Sequence, residues 1–354
     1  MNILENLYQN PPKSREFLER KIRIEGSKIL LKGANGSGKS SLILNHLSKF
    51  DNFLYIDLDD IRSFGIELNN LNEFIKAKNI KALAIENLKS KIELPICDNI
   101  IISTDLNSLH IDGLNQLEIL GLDYEEFILF YRKNYEARTL FSHFLIRGNL
   151  AFSPFLSEFE TTAFLQKHIK ASKGDLNIKI LANIANFMHQ PLNSFKIYKN
   201  LKAHIKLSKD KLYQNIADLE DQNLIKTILH INDNITLKRV YFSDFALKSA
   251  LSLHKDPKAT IANMVFCELL KLKKEIKYSN QIDFIVPDMS YGILILPFLP
   301  SELAILKAKK LSNHCNELGL KRVDIISNSQ SQIAKFEKIT YNVMPFWQWA
   351  VGLN

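Results

Sequence analysis

Gly33, Gly38, Lys39 and Ser40 stand at the spacing G-x-x-x-x-G-K-[ST], inside the run Lys28-Ile-Leu-Leu-Lys-Gly-Ala-Asn-Gly-Ser-Gly-Lys-Ser-Ser. That spacing suits the cradling of a chain of phosphates. Glycines let backbone N–H groups turn inward around phosphate oxygens with no Cβ in the way. Gly33, Asn35, Gly36, Ser37, Gly38 and Ser41 are therefore the expected backbone cradle. Lys39 would reach the β- and γ-phosphates, and the Ser40 hydroxyl would hold a metal ion. The expected cofactors are ATP and Mg²⁺.

Such a loop needs a strand before it and a helix after it. Ile29-Leu-Leu supplies the strand, and Leu42, Ile43, Leu44 and Leu47 supply an apolar helical face. The helix would aim the positive end of its dipole at the anion. Further apolar runs at 53–58, 80–85, 99–103 and 116–120 read as strands. Helices are expected at 68–78 and about 123–133, the latter capped by Asp123 with Glu125 and Glu126 in its first turn. This alternation predicts a parallel α/β sheet over residues 1–150.

Hydrolysis needs more than a cradle. An acidic residue on a neighbouring strand must help hold Mg²⁺, and a base must orient water. Strand 80–85 runs into Glu86-Asn87 where two carboxylates would be usual. If Glu86 is on the metal side, Asn87 occupies the base position, and an amide cannot take a proton as a carboxylate can. If Glu86 is the base, the metal side falls on Ile85. Either way one carboxylate is lost. Asp57, Asp59 and Asp60 could compensate, but they read first as a solvated acidic loop. Ser103, followed by Thr104, ends the fourth strand, where a polar residue could sense the γ-phosphate.

The chain's 354 residues predict two or three domains, and its 46% hydrophobic content suits real cores. Cys97, Cys267 and Cys315 lie far apart without metal-ligand spacing, which argues against zinc and disulfides and for a reducing cytoplasm. The longest apolar run, from Gly292 to Leu299, is too short for a membrane span and contains Pro297, so no membrane partner is expected. The first residues carry no basic region followed by an apolar core, so no secretion signal is expected. A net charge of +8 permits nucleic-acid binding, although a general abundance of lysine is the preferred account of it.

Segment Leu117-Glu-Ile-Leu-Gly-Leu-Asp-Tyr-Glu-Glu-Phe-Ile resembles a signature of a prokaryotic family. Its members are AAA-type ATPases fused to a C-terminal domain of unknown function, with a winged helix and a restriction-endonuclease-like core. Leu120, Leu122, Tyr124, Glu126 and Phe127 match, with Gly121 in place of a proline. Phe144-Leu-Ile-Arg-Gly-Asn-Leu, Val240-Tyr-Phe-Ser-Asp-Phe-Ala-Leu, Asn263-Met-Val-Phe-Cys-Glu-Leu-Leu and Gln281-Ile-Asp-Phe-Ile-Val resemble later signatures of the same family. The family's Gly-Arg is here Gly113-Leu114. An arginine and a carboxylate both missing imply slow hydrolysis with binding retained.

The resemblance implies three parts: an AAA-type P-loop NTPase at 1–150, a helical linker and winged helix at 151–241, and a degenerate restriction-endonuclease-like core at 242–354. Residues 175–188, 193–204 and 208–222 have helical patterns, and 224–229 and 235–241 form a hairpin around Asn232-Asp-Asn. Helix 208–222 would be the DNA-reading helix, although Asp218, Glu220 and Asp221 would repel phosphates, and the winged helix reads equally as an interdomain or protein-contact module. In the last part, strands are expected at 281–286, 291–298, 321–327 and 335–342, with a helix near 301–317. Asp283 suits a nuclease's first metal ligand, but the next strand lacks the required glutamate and lysine. Asp283 is therefore read as a structural remnant. The expected function is an ATP-binding switch that hydrolyses slowly. The alternative is an ATP-modulated, DNA-binding regulatory protein, and nuclease activity is not expected. Candidate partners are nucleotide, DNA, a protein partner or a second copy of the chain.

Overall fold

Strands rich in Ile, Leu and Ala alternate with helices through the first third of the chain. The computed structural model describes residues 3–12 and 18–353. These divide into two units: Met1–Gly121 with Asp221–Leu224, and Leu122–Glu220 with Ile225–Asn354.

In the first unit the elements are α1 (Ile3–Gln9), β1 (Lys28–Lys32), α2 (Lys39–Leu47), β2 (Phe53–Asp57), α3 (Leu71–Lys78), β3 (Ala82–Glu86), β4 (Asn99–Thr104) and β5 (Asn115–Glu118). The five expected strands all form, each within three residues of its expected ends. They make one parallel sheet in the order β2-β3-β4-β1-β5. Alternate residues face opposite sides, as a pleated strand requires. Ile29, Leu31, Ala84 and Ile101 pack with Leu42, Ile43 and Leu47 of α2. Leu30, Leu54, Leu83, Ile85 and Ile102 pack on the other side with Leu71 and Ile75 of α3. A parallel sheet covered on both faces explains why these strands read as nearly unbroken apolar runs.

The second unit begins with helices α4 (Tyr124–Tyr131), α5 (Ala137–Arg147), α6 (Glu158–Ser172), α7 (Asp175–Phe187), α8 (Ser194–Lys202) and α9 (Lys209–Asp221). Asp123 caps α4 in a capping box with Glu126, as its sequence predicts. There follow β6 (Ile225–His230), β7 (Lys238–Phe242), α10 (Leu247–Leu251), α11 (Pro257–Leu269), β8 (Lys277–Tyr278), β9 (Phe284–Val286), β10 (Tyr291–Ile295), α12 (Ser301–Lys310), α13 (Ser312–Glu317), β11 (Arg322–Ile326), β12 (Gln332–Phe336), β13 (Ile339–Met344) and α14 (Phe346–Val351).

The three helices α7 to α9 and the antiparallel hairpin β6–β7 form where expected. The hairpin is not free-standing. His230 of β6 pairs with Tyr278 of β8 in parallel, so the hairpin joins an eight-stranded sheet, β12-β13-β11-β10-β9-β8-β6-β7. Residues 151–241 and 242–354 thus share one sheet. The single strand expected at 335–342 is instead a hairpin, β12–β13, which turns at Glu337 with φ +55°. Its apolar content is split across two strands, and the alternation hides the turn. The helix expected near 301–317 breaks at Leu311 into α12 and α13.

Several segments that carry the family resemblance meet inside this unit. Glu268 accepts the Tyr124 N–H at 2.7 Å. Asp244 accepts the Asn149 N–H at 3.1 Å. The Asn263 amide brackets the Phe242 backbone, accepting at 3.0 Å and donating at 2.7 Å. Buried backbone groups need such partners, so these scattered polar residues hold the unit together.

Candidate functional site

The loop after β1 opens at the carboxyl edge of the sheet, where ligands bind in open parallel sheets. Its shape depends on its glycines. Gly36 and Gly38 have φ +84° and +97°, which an L side chain resists. Gly33 is needed for space, because a Cβ there would lie 2.3 Å from the Ile119 carbonyl oxygen. Gly38 is the N-cap of α2 and gives no side-chain cap. The first N–H groups of α2 are left to an incoming anion.

Lys39 is buried, and its Nζ donates to the carbonyls of Gly33 at 2.7 Å and Ala34 at 3.0 Å. Burial lowers its pKa to about 8, against the pull of Asp105 and Glu86. The Ser37 hydroxyl is buried with no hydrogen-bond partner. A buried polar atom left over in this way points to a missing partner. Ser40 and Ser41 are exposed, and Asn35 is half-buried.

Glu86 is the last residue of β3 and is almost wholly buried. The Ser40 hydroxyl donates to its Oε2 at 2.7 Å, and the Tyr55 hydroxyl donates to its Oε1 at 3.0 Å. Burial raises the Glu86 pKa, and these two bonds oppose the rise. The two expected metal-side residues, Ser40 and Glu86, therefore touch. A hydroxyl oxygen and a carboxylate on one spot suit a hard cation such as Mg²⁺, and together with the cradle and Lys39 they fit MgATP.

Asn87 has a left-handed backbone, φ +61°. Its N–H donates to the Ser103 hydroxyl at 3.4 Å, so Glu86, Asn87 and Ser103 come together. The Asn87 amide turns toward β2 and donates to Asp57 Oδ1 at 2.7 Å. The parallel register places Asp57 opposite Glu86 and Tyr55 opposite Ala84. Of the three aspartates expected in a solvated loop, Asp57 thus joins the site. Asp60 caps a short turn at Ile61–Ser63, and the hydrogen bonds it accepts from the Arg62 guanidinium and then from the Arg62 N–H lower its pKa to about 2.

Sequence reading missed Tyr55, Arg20 and the pair Lys89–Asp105. Tyr55 was legible, since Tyr55 and Asp57 alternate onto one face of β2. Arg20 is buried and donates to the carbonyls of Ser37 at 2.7 Å and of Leu120 and Gly121 at 3.2 Å, tying the loop to the end of β5. Lys89 and Asp105 pair at 2.6 Å beside Lys39. Nothing local in the sequence marks either contact.

Asp283 lies just before β9. His189 Nε2 is 2.9 Å and Lys258 Nζ 3.1 Å from its Oδ1, and its Oδ2 accepts the Ile295 N–H at 2.7 Å. Burial opposes its charge, but His189 and Lys258 outweigh burial and hold its carboxyl below the usual range. No group of three or more metal-ligating side chains is found among the described residues. No helix of the described residues is long and apolar enough to cross a membrane.

No known family model matches the chain. An uncharacterized protein of Methanocaldococcus jannaschii is 25% identical, over 99% of this chain and 94% of its own. Among solved structures, the chain is similar to a Walker-type ATPase of Pyrococcus abyssi, at 13% identity and a TM-score of 0.44, covering 63% of this chain and 90% of the other. It is also similar to the Orc1 protein of Aeropyrum pernix in complex with DNA, at 12% identity and a TM-score of 0.31, over 64% and 87% of the two chains. A third similarity is to AMPPCP-bound DnaA of Aquifex aeolicus, at 14% identity and a TM-score of 0.29, over 56% and 83%.

Proposed function

We propose that this chain is an AAA-type P-loop protein that binds ATP with Mg²⁺, hydrolyses it slowly and uses the bound nucleotide as a switch. The observation that carries this reading is the uncapped start of α2, wrapped by Gly36 and Gly38, with the Lys39 ammonium folded back over the loop. Backbone N–H groups and Lys39 would hold the phosphates. Ser40 and Glu86 would hold Mg²⁺, which when bound neutralises phosphate charge.

Slow turnover follows from what stands at the base position. Asn87 offers an amide, and the carboxylate that reaches it is Asp57, already accepting from that amide. Asp57, whose Oδ1 accepts that amide directly, takes the proton-accepting role toward a water beside the pair. Ser103 fixes the Asn87 backbone and so the direction of its amide. The helices α7 to α9 with the β6–β7 hairpin serve as a winged helix that reads out the nucleotide state, and the rest of the sheet that the hairpin joins is a restriction-endonuclease-like core without nuclease activity.

Titration calorimetry with MgATP tests the binding. Lys39→Ala should weaken affinity at least tenfold, and unchanged affinity would remove the site assignment. Turnover is expected well below about 1 s⁻¹, and a faster rate in a phosphate-release assay contradicts the role given to Asn87.

A further inference from the structure

Residues 194–214 carry six lysines, at 196, 199, 202, 206, 209 and 211, against one acid, Asp210. They span α8, the turn that follows and the start of α9. All six are exposed, and none takes part in an ion pair. Lys258 and Lys274, by contrast, each pair with a carboxylate. An unneutralised cluster of this density is the electrostatic footprint of a polyanion.

The aromatic residues here position charge. Lys209 Nζ sits 5.3 Å from the centre of the Phe195 ring and 5.9 Å from that of Tyr198, while Lys202 Nζ is 5.4 Å from Tyr198. Such contacts hold an ammonium without cancelling its charge. They also cover ring faces that a single strand would need for base stacking.

Two of the amides that could read bases from α9 are already engaged. Gln214 donates to Asp218 at 2.7 Å, and Asn215 donates to the Lys211 carbonyl at 2.6 Å. No arginine lies in the segment. The apolar face of α8, with Ile197, Tyr198 and Leu201, is buried, so the helix has no apolar face to lay on a membrane. Dense lysine charge, with these amides engaged and the Phe195 and Tyr198 rings covered, points to the phosphate backbone of a duplex as the ligand.

We infer that the α8–α9 corner binds double-stranded DNA through its phosphates, without sequence preference, and that the start of α9 contributes charge rather than base recognition. This stands independently of the nucleotide reading. It predicts binding of two unrelated duplexes with equal affinity, and a log–log salt slope that steepens with each phosphate contacted.

Fluorescence anisotropy of the full chain with two labelled random duplexes, from 50 to 300 mM salt, tests it. The triple variant Lys202→Gln, Lys206→Gln, Lys209→Gln should bind on the order of tenfold or more weakly at low salt, with a slope shallower by up to about 3. A control with the same charge loss on α12, Lys307→Gln, Lys309→Gln, Lys310→Gln, should bind as the parent does. Both variants should keep the parent's melting temperature and ATP affinity. Lys39→Ala should keep DNA affinity, which separates failure of this inference from failure of the ATP site. The inference is overturned by no duplex binding at 50 mM salt, by equal weakening in both triple variants, or by a tenfold preference for one duplex. Tighter binding to single-stranded RNA or to anionic vesicles overturns it as well.

Discussion

At the scale of single residues, the site turns on a few close approaches. Gly33→Ala would push a Cβ into the Ile119 carbonyl oxygen, which cannot move without breaking the β1–β5 pairing. ATP binding should be lost in calorimetry, while Gly174→Ala, where a Cβ meets open space, should leave it intact. Asp57→Asn should lower turnover on the order of 100-fold with ATP affinity unchanged, since proton acceptance acts in the reaction and not in binding. Lys39 gives a pH signature. Burial lowers its pKa to about 8 from an ordinary 10.5. Bound phosphate favours the charged ammonium, so ATP affinity should fall as pH rises from 7 to 9, with proton uptake measurable by calorimetry in buffers of different ionisation heat. The sequence made the glycines, Lys39 and Ser40 legible because they follow one another in the chain. Tyr55 and Asp57 meet Glu86 and Asn87 only through the register of two strands, and Arg20 meets the loop only by reaching back across it, so spacing alone could not pair them.

At the scale of elements, apolar periodicity and caps predicted most strands and helices because each signal is local. The β12–β13 hairpin escaped because its turn, Glu337-Lys338, carries no glycine, proline or asparagine. Polar contacts between distant elements escaped for a different reason: their partners lie about 100 residues apart. Asp244 holds the Asn149 N–H and also fills the space beside Gly148. Gly148 has φ +81°, and a Cβ there would lie 2.2 Å from Asp244 Oδ1. Gly148→Ala should therefore cost about 2 kcal/mol or more in urea unfolding. Burial also raises the Asp244 pKa to about 6 from 3.8. The native state then holds a proton that the unfolded chain releases between about pH 4 and 6, so this group's contribution to stability falls as pH rises through that window. Comparing the urea midpoints of the parent and Asp244→Asn at pH 5 and pH 7.5 checks the sign: the parent should lose more than the variant.

At the scale of the whole molecule, a division at residue 241 would cut through β7, whose last residue is Phe242, and strip β8 from β6. Tyr241, wholly buried between β6 and the rings of Phe266 and Phe284, would lose that cover. A fragment ending at 241 should therefore elute as aggregate in size-exclusion chromatography, whereas the full chain should not. The sequence showed a hairpin and a later set of strands, but not that they pair. Pairing across a gap of almost fifty residues depends on edges meeting in space, and no residue pattern encodes it.

The position of β8 also bears on how the protein is made. Residues 225–242 leave the ribosome before β8 and can close their hairpin without it, since β6 and β7 pair with each other. Until Lys277 and Tyr278 emerge, one edge of β6 has no neighbour. During that interval the nascent chain presents an open strand edge next to apolar side chains, the surface on which neighbouring chains aggregate. Slow elongation between residues 243 and 278 would prolong that exposure, and faster elongation or a holding chaperone would shorten or cover it.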